Sequence, residues 1–247
     1  TALFILSCIN EKQISAQQLT SLVNPFVGTG GHGHTFPGAS MPFGMMQLSP
    51  DTRLDGWDGC SGYHYSDNYI YGFTHTHLSG TGILDYGDIL LMPTNQINFN
   101  NGSDGNNGYR SSFSHQNETA SPGYYSVHLD DTGIDVSLTV SERSGIHHYE
   151  FPPNSDQVII LDLTHRDQVI DSNLNLVDSS HVSGYRFSSS WAKDQRVFYD
   201  MVFSRPYSKV IIEDDVLDGK SVRVAFVFDS LASNELEVRV GISAVDE

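Results

Sequence analysis

Leu236, Val238, Val240 and Ile242 alternate with Glu235, Glu237, Arg239 and Gly241. A period of two suits a pleated strand with one buried and one wet face, and does not suit a helix. The pattern recurs where Val136, Leu138 and Val140 alternate with Asp135, Ser137 and Thr139. Val158 to Leu161 is a short apolar run of the kind buried on both faces. Val210-Ile211-Ile212 and the stretch Val222 to Phe228 flank Asp218-Gly219, a hairpin signal. No segment carries sustained helical periodicity with caps. The expected fold is all-β: a large antiparallel β-sandwich of many strands.

The chain has 247 residues, enough for one domain that buries its core without disulfides. Its formal net charge of -17 argues against a nucleic-acid partner, which requires a basic stripe. A neutral ligand such as a sugar, or export as a highly soluble protein, is compatible with that charge.

The opening Thr1-Ala2-Leu3-Phe4-Ile5-Leu6-Ser7-Cys8 looks like the end of a bacterial lipoprotein signal, cleaved before a Cys that is then acylated. The run is too short to span a membrane. Residues 1–20 are therefore expected to be a signal remnant and polar tether, with a lipid anchor on Cys8. The competing reading is a buried first strand. Residues 21–247 are expected to form the sandwich. If Cys8 is acylated, Cys60 has no internal disulfide partner.

Residues 28–88 hold 13 of the 22 glycines and five of the 11 histidines. Aromatic residues are dense there too. Such loops are more often functional than structural, and this region reads as strand fragments joined by site-forming loops. The polar stretch Asn95 to Ser121 reads as a surface loop or hairpin tip. Gly28-Thr29-Gly30-Gly31-His32-Gly33 matches a dinucleotide-binding pattern by letter, but Pro37 and Pro42 forbid the helix that pattern needs. His32-Gly33-His34 and His75-Thr76-His77 are His-x-His pairs. On a strand the two rings of such a pair share a face, which suits a metal, with Asp85 and Asp88 as possible carboxylates. Trp57 lies between Arg53, Asp55 and Asp58 in a Gly-rich segment. Sugar sites combine an aromatic platform with side chains that grip paired hydroxyls. The competing reading is a core Trp with carboxylates in solvent.

Several motifs run in one order along the chain: Val23-Asn24-Pro25-Phe26-Val27-Gly28-Thr29, Gly33-His34-Thr35-Phe36-Pro37-Gly38-Ala39 and Met41-Pro42-Phe43-Gly44-Met45-Met46-Gln47-Leu48-Ser49-Pro50-Asp51. Cys60-Ser61-Gly62-Tyr63, Phe73-Thr74-His75-Thr76-His77-Leu78-Ser79-Gly80, Gly87-Asp88-Ile89, Ser141-Glu142-Arg143-Ser144-Gly145-Ile146-His147 and Trp191-Ala192-Lys193-Asp194-Gln195 follow. From about Val23 to the end, this series resembles glycoside hydrolase family 92. The resemblance implies an amino-terminal, supersandwich-like domain packed on an (α/α)6 barrel, with the active site between them. It implies calcium-dependent hydrolysis of terminal α-mannosides with inversion. Inversion needs a general acid and a general base, roughly 6.5–9.5 Å apart. In the family both carboxylates and most calcium contacts belong to the barrel, so no residue of this chain is expected to be catalytic or a metal ligand, and the chain alone is expected to be inactive.

The expected partners are then mannose-containing glycans and the carboxy-terminal barrel. The expected location is the periplasm or cell surface. Trp57, Arg53, Asp55 and Asp58 are the leading substrate-binding candidates, with His75 and His77 as weaker ones on the same rim. A stand-alone mannose-binding module and a metal-dependent hydrolase built on the His-x-His pairs are the alternatives.

Overall fold

A computed structural model describes residues 19–246; Cys8 and the rest of the expected tether lie outside the described residues. The named elements are sixteen strands and two single-turn 3-10 segments. The strands form two antiparallel sheets whose apolar faces enclose one core, as the period-two pattern predicts. No helix among the described residues is long and apolar enough to cross a membrane.

The nine-stranded sheet is built mainly from the second half of the chain. Its central strands are β7 (Tyr124–Leu129), β8 (Ile134–Val140), β9 (Ser144–Glu150) and β16 (Glu235–Ser243). In β16 the residues Leu236, Val238, Val240 and Ile242 point inward while Glu235 and Arg239 are exposed. Beyond β16 lie β13 (Gln195–Phe203), β12 (His181–Ser189) and the edge strand β11 (Gln168–Asp178). The other flank is β6 (Ser111–Ser121) followed by the two-residue β3 (Tyr69–Ile70).

The seven-stranded sheet runs β1 (Ala39–Ser40), β2 (Gln47–Asp51), β4 (Gly72–Thr74), β5 (Leu90–Thr94), β10 (Gln157–Asp162), β15 (Arg223–Phe228) and β14 (Lys209–Ile212). Every residue of β10 is buried, as expected of a continuous apolar run between two neighbours. At ~25 cal/mol per Å² of apolar surface, such strands supply most of the drive for folding.

Two expectations are corrected. Strands β14 and β15 do pair, but Asp218-Gly219 does not close a tight hairpin between them. The connection is longer and leans on β11: Gly219 N donates to Ser172 O at 2.8 Å, and Ser172 Oγ donates to Gly219 O at 2.6 Å. The polar stretch Asn95 to Ser121 is a loop only in its first part. Its second part is β6, which pairs with β7 across a bulge between Phe113 and Glu118. Pairing and neighbours, more than its own composition, decide that strand.

Candidate functional site

Residues 28–88 contribute β1, β2, β3 and β4, all short, and otherwise form loops. Polar groups hold these loops together. Tyr65 N donates to Thr29 O (2.8 Å) and Ser61 Oγ to Thr35 O (3.0 Å). The His64 ring meets Gly31 O at 2.9 Å. Tyr63, fully buried, donates its hydroxyl to Glu118 Oε2 at 2.9 Å, and Glu118 also accepts from Tyr125 at 2.6 Å. These bonds fix a surface where loops 28–35, 51–65 and 78–88 meet.

Trp57 opens the 3-10 turn Trp57–Gly59 on that surface. It is 63% exposed, so it is not a core tryptophan. Its ring edge rests on the backbone of Gly82, where an added Cβ would lie 2.0 Å from the ring. The His34 ring packs edge-on against it, with centroids 5.1 Å apart. Asp58 collects both histidines of the first His-x-His pair: His32 Nδ1 at 3.0 Å and His34 Nε2 at 3.5 Å. The bond from His32, outweighing partial burial, lowers the Asp58 pKa. Gly80 N donates to His34 O at 2.6 Å. Trp57, Asp58, His34 and the Gly80–Gly82 loop thus form one unit. An exposed indole beside an ionised carboxylate can cover the C–H face of a sugar while the carboxylate accepts from a hydroxyl.

Arg53 and Asp55 sit on the other side of the same loop. Arg53 is held by a bidentate pair with Asp67 and by Ser66 Oγ at 3.2 Å. With Asp55, Asp67 and Tyr71 it lines a separate depression of about 390 Å³. Asp55 is exposed.

The expectation that His75 and His77 share a face does not hold. Strand β4 ends at Thr74, so the alternation stops before the pair. His75 turns into the core. Its Nδ1 meets Ile89 O at 2.6 Å, so that nitrogen carries the proton. Its Nε2 then accepts from His147 Nε2 at 2.9 Å, and His147 Nδ1 accepts from the Tyr149 hydroxyl at 2.7 Å. Burial lowers the His75 pKa to about 4 and that of His147 well below the usual range. His77 instead joins a buried cluster under the loop surface. Its Nδ1 donates to Gln47 O at 2.8 Å, and its Nε2 lies 3.2 Å from Asp51 Oδ1.

That cluster was not legible in the sequence. Asp51, fully buried, also takes His165 Nε2 at 2.8 Å, Thr74 Oγ1 at 2.9 Å and Arg166 Nη1 at 3.5 Å. Burial alone raises a carboxyl pKa, but His77 and His165 outweigh it and hold Asp51 well below the usual carboxylate range. Asp88, also fully buried, is engaged by Arg186, Gln195 and Thr76. Beside it, Asp85 accepts from Ala192 N at 2.9 Å and Asp167 from Tyr86 N at 2.7 Å. Burial and a hydrogen bond to Asp85 push Asp167 up to about 7.

The carboxylates therefore do not fit a calcium site of their own. Asp51 is engaged by cationic and hydroxyl donors and Asp88 by cationic, amide and hydroxyl donors, and no group of three or more His, Cys, Asp or Glu among the described residues is arranged to hold a metal ion.

The model of the glycosyl hydrolase family 92 N-terminal domain matches residues 22–243. An uncharacterized secreted glycosidase of Arthroderma benhamiae is 32% identical over 162 residues, covering 58% of this chain and 19% of that protein. The solved family GH92 α-mannosidase of Bacteroides thetaiotaomicron in complex with mannoimidazole superposes with a TM-score of 0.84 at 34% identity, over 92% of this chain and 32% of that one. A family GH92 inverting mannosidase of the same organism gives 0.76 at 27% identity, over 92% and 31%. The chain thus spans about a third of the length of these solved relatives. The match covers the loop-borne surface as well as the sandwich beneath it, and on it the chain belongs to glycosyl hydrolase family 92, as the N-terminal domain of that family.

Proposed function

We propose that this chain is the sandwich part of an exported exo-acting α-mannosidase that removes terminal mannose from glycans with inversion. Its share of the work is binding. Trp57 covers one face of the terminal sugar, Asp58 accepts from a hydroxyl, and Arg53 and Asp55 line the approach. His77, buried beneath, supports the surface through Asp51. The acid, the base and the calcium ion belong in this reading to the carboxy-terminal barrel. Around a neighbouring depression Val23 and Met41 are exposed and Phe43 stands clear of the surface, a grouping suited to a packed partner domain. Export is supported by the secreted relative and by the lipoprotein-like stretch ending at Cys8. Fatty-acid labelling of the protein that disappears in Cys8→Ser checks the anchor.

The observation that carries the reading is Trp57 itself, large, exposed, and set on a backbone shelf at Gly82 beside an ionised carboxylate. In the full-length enzyme Trp57→Ala is expected to cut kcat/KM at least tenfold. An aromatic contact is worth ~0.5–1.5 kcal/mol beyond its buried area, and ~1.4 kcal/mol is a factor of ten. Wild-type kcat/KM in a folded Trp57→Ala enzyme overturns the proposal.

A further inference from the structure

The Trp57 turn is held from below by one side chain far away in sequence. Arg166 lies between β10 and β11, 107 positions after Gly59. Its side chain is 2% exposed. Its Nη2 donates to Gly59 O at 3.1 Å and to Cys60 O at 3.3 Å, the two carbonyls that end the turn carrying Trp57 and Asp58. Its Nη1 faces Asp51 Oδ1 at 3.5 Å, so the charge that grips the turn is itself held by the buried cluster.

Room for this arm is made at two glycines. A Cβ on Gly62 would lie 2.7 Å from Arg166 Nη1 and 1.9 Å from Asp51 Oδ1, and one on Gly87 would lie 2.7 Å from Arg166 Cδ. Both glycines have positive φ, +84° and +91°. The arrangement also carries costs. Arg166 has φ +58°, a left-handed conformation that a side chain disfavours. Its Nε is buried without an acceptor among the described residues. Tyr86 and Ile89, in the loop packed beside it, are left-handed too, at +73° and +59°. Strain of this kind persists where the surroundings over-determine it, and it concentrates at functional sites. An arginine needed only to neutralise Asp51 could do so from a relaxed backbone. What the strained position adds is a fork with one arm, Nη2, on two carbonyls of the turn and the other, Nη1, towards Asp51.

We propose that Arg166 is the positioning residue of the Trp57 turn, fixing the height and tilt of the sugar platform through Gly59 and Cys60. The inference rests on the reading of Trp57 as a substrate platform. Arg166 touches no substrate; it acts through the turn.

The test is a double-mutant cycle in the full-length enzyme, assayed on an aryl α-mannoside. Arg166→Met and Arg166→Lys are combined with Trp57→Ala, and kcat and KM are measured separately. Arg166→Met alone is expected to lower kcat/KM about tenfold, and Arg166→Lys to lower it several-fold, because a single ammonium cannot hold the two carbonyls and face Asp51 at once. In the Trp57→Ala background either substitution is expected to cost clearly less than it does alone, since the platform is gone and only Asp58 remains on the turn that Arg166 positions. Losses that multiply instead overturn the inference while leaving Trp57 in the site. If Arg166→Met fails to fold, Arg166→Lys decides: wild-type kcat/KM there overturns the inference. A Trp57→Ala enzyme with wild-type kinetics sinks the underlying reading instead, so the two failures are distinguishable.

Discussion

Gly82→Ala separates the stability of this domain from the placement of its platform. The backbone at Gly82 has no positive φ, so alanine meets no dihedral penalty there. The new Cβ would lie 2.0, 2.3 and 2.8 Å from Cη2, Cζ3 and Cζ2 of Trp57. Those atoms are the far end of an exposed side chain, so the ring gives way, by about 1.4 Å before ordinary contact is restored. The fold loses little: exposed substitutions change stability by ~0.5 kcal/mol, and alanine for glycine in a permissive conformation adds back a similar amount. Catalysis loses more, because a displacement of about 1 Å at a binding group can cost up to a hundredfold. The expected result in the full-length enzyme is a tenfold to hundredfold drop in kcat/KM, or about 1.4–2.8 kcal/mol. The thermal midpoint should stay within a few degrees of wild type. Residues 20–247 hold two tryptophans, so in that domain alone, with Trp191→Phe, the emission reports Trp57 and its shift shows whether the ring has moved. Gly30→Ala is the control, since its Cβ would meet only Tyr65 Cβ at 3.5 Å. A Gly82→Ala enzyme with displaced Trp57 emission and wild-type kcat/KM would refute the assignment of the ring to the sugar.

Asp167 titrates near pH 7 in the fold against 3.8 ordinarily, so between those values the fold keeps a proton that the unfolded chain releases. Wild-type stability therefore gains from this group as pH falls from 7 towards 4, and Asp167→Asn, which mimics the protonated form, should be more stable than wild type at pH 8. The full shift corresponds to about 4 kcal/mol, and partial exposure reduces it to about 2 kcal/mol; the advantage should vanish by pH 4 in denaturant titrations. Residues 20–247 alone should not turn over an aryl α-mannoside, with or without calcium. Measurable turnover would move the acid and base onto this domain and make Asp55, Asp58 and Asp85 the first candidates.

What the sequence discloses follows from how local the determining contacts are. Strands β16 and β10 carry their burial in their own side chains, so periodicity finds them. Strand β6 does not: most of its residues are polar, and its register comes from β7 across a bulge. The exposed Trp57 agrees with its Gly-rich surroundings, because glycines there leave no neighbours large enough to cover it. Asp58 and the pair His32 and His34 are each visible as motifs, but their meeting across 26 positions is not. The pairing of His75 and His77 misleads because the strand ends one residue before it. Asp51 stands in a recognisable motif, yet two of its partners, His165 and Arg166, lie in a loop that no pattern marks.

Those distances set an order of events. Asp51 meets His165 and Arg166 across 114 and 115 positions, and loop closures of that span are late and slow compared with hairpins such as the one joining β7 to β8. Until residue 166 arrives, Asp51 has no cationic partner from that loop, and the carbonyls of Gly59 and Cys60 lack their side-chain donor. The nine-stranded sheet, by contrast, is mostly hairpins between sequence neighbours and can pair early. Segment 51–65 should then be the last part of the domain to become resistant to a protease during refolding. The molecule would acquire its sheets well before its loop surface was fixed.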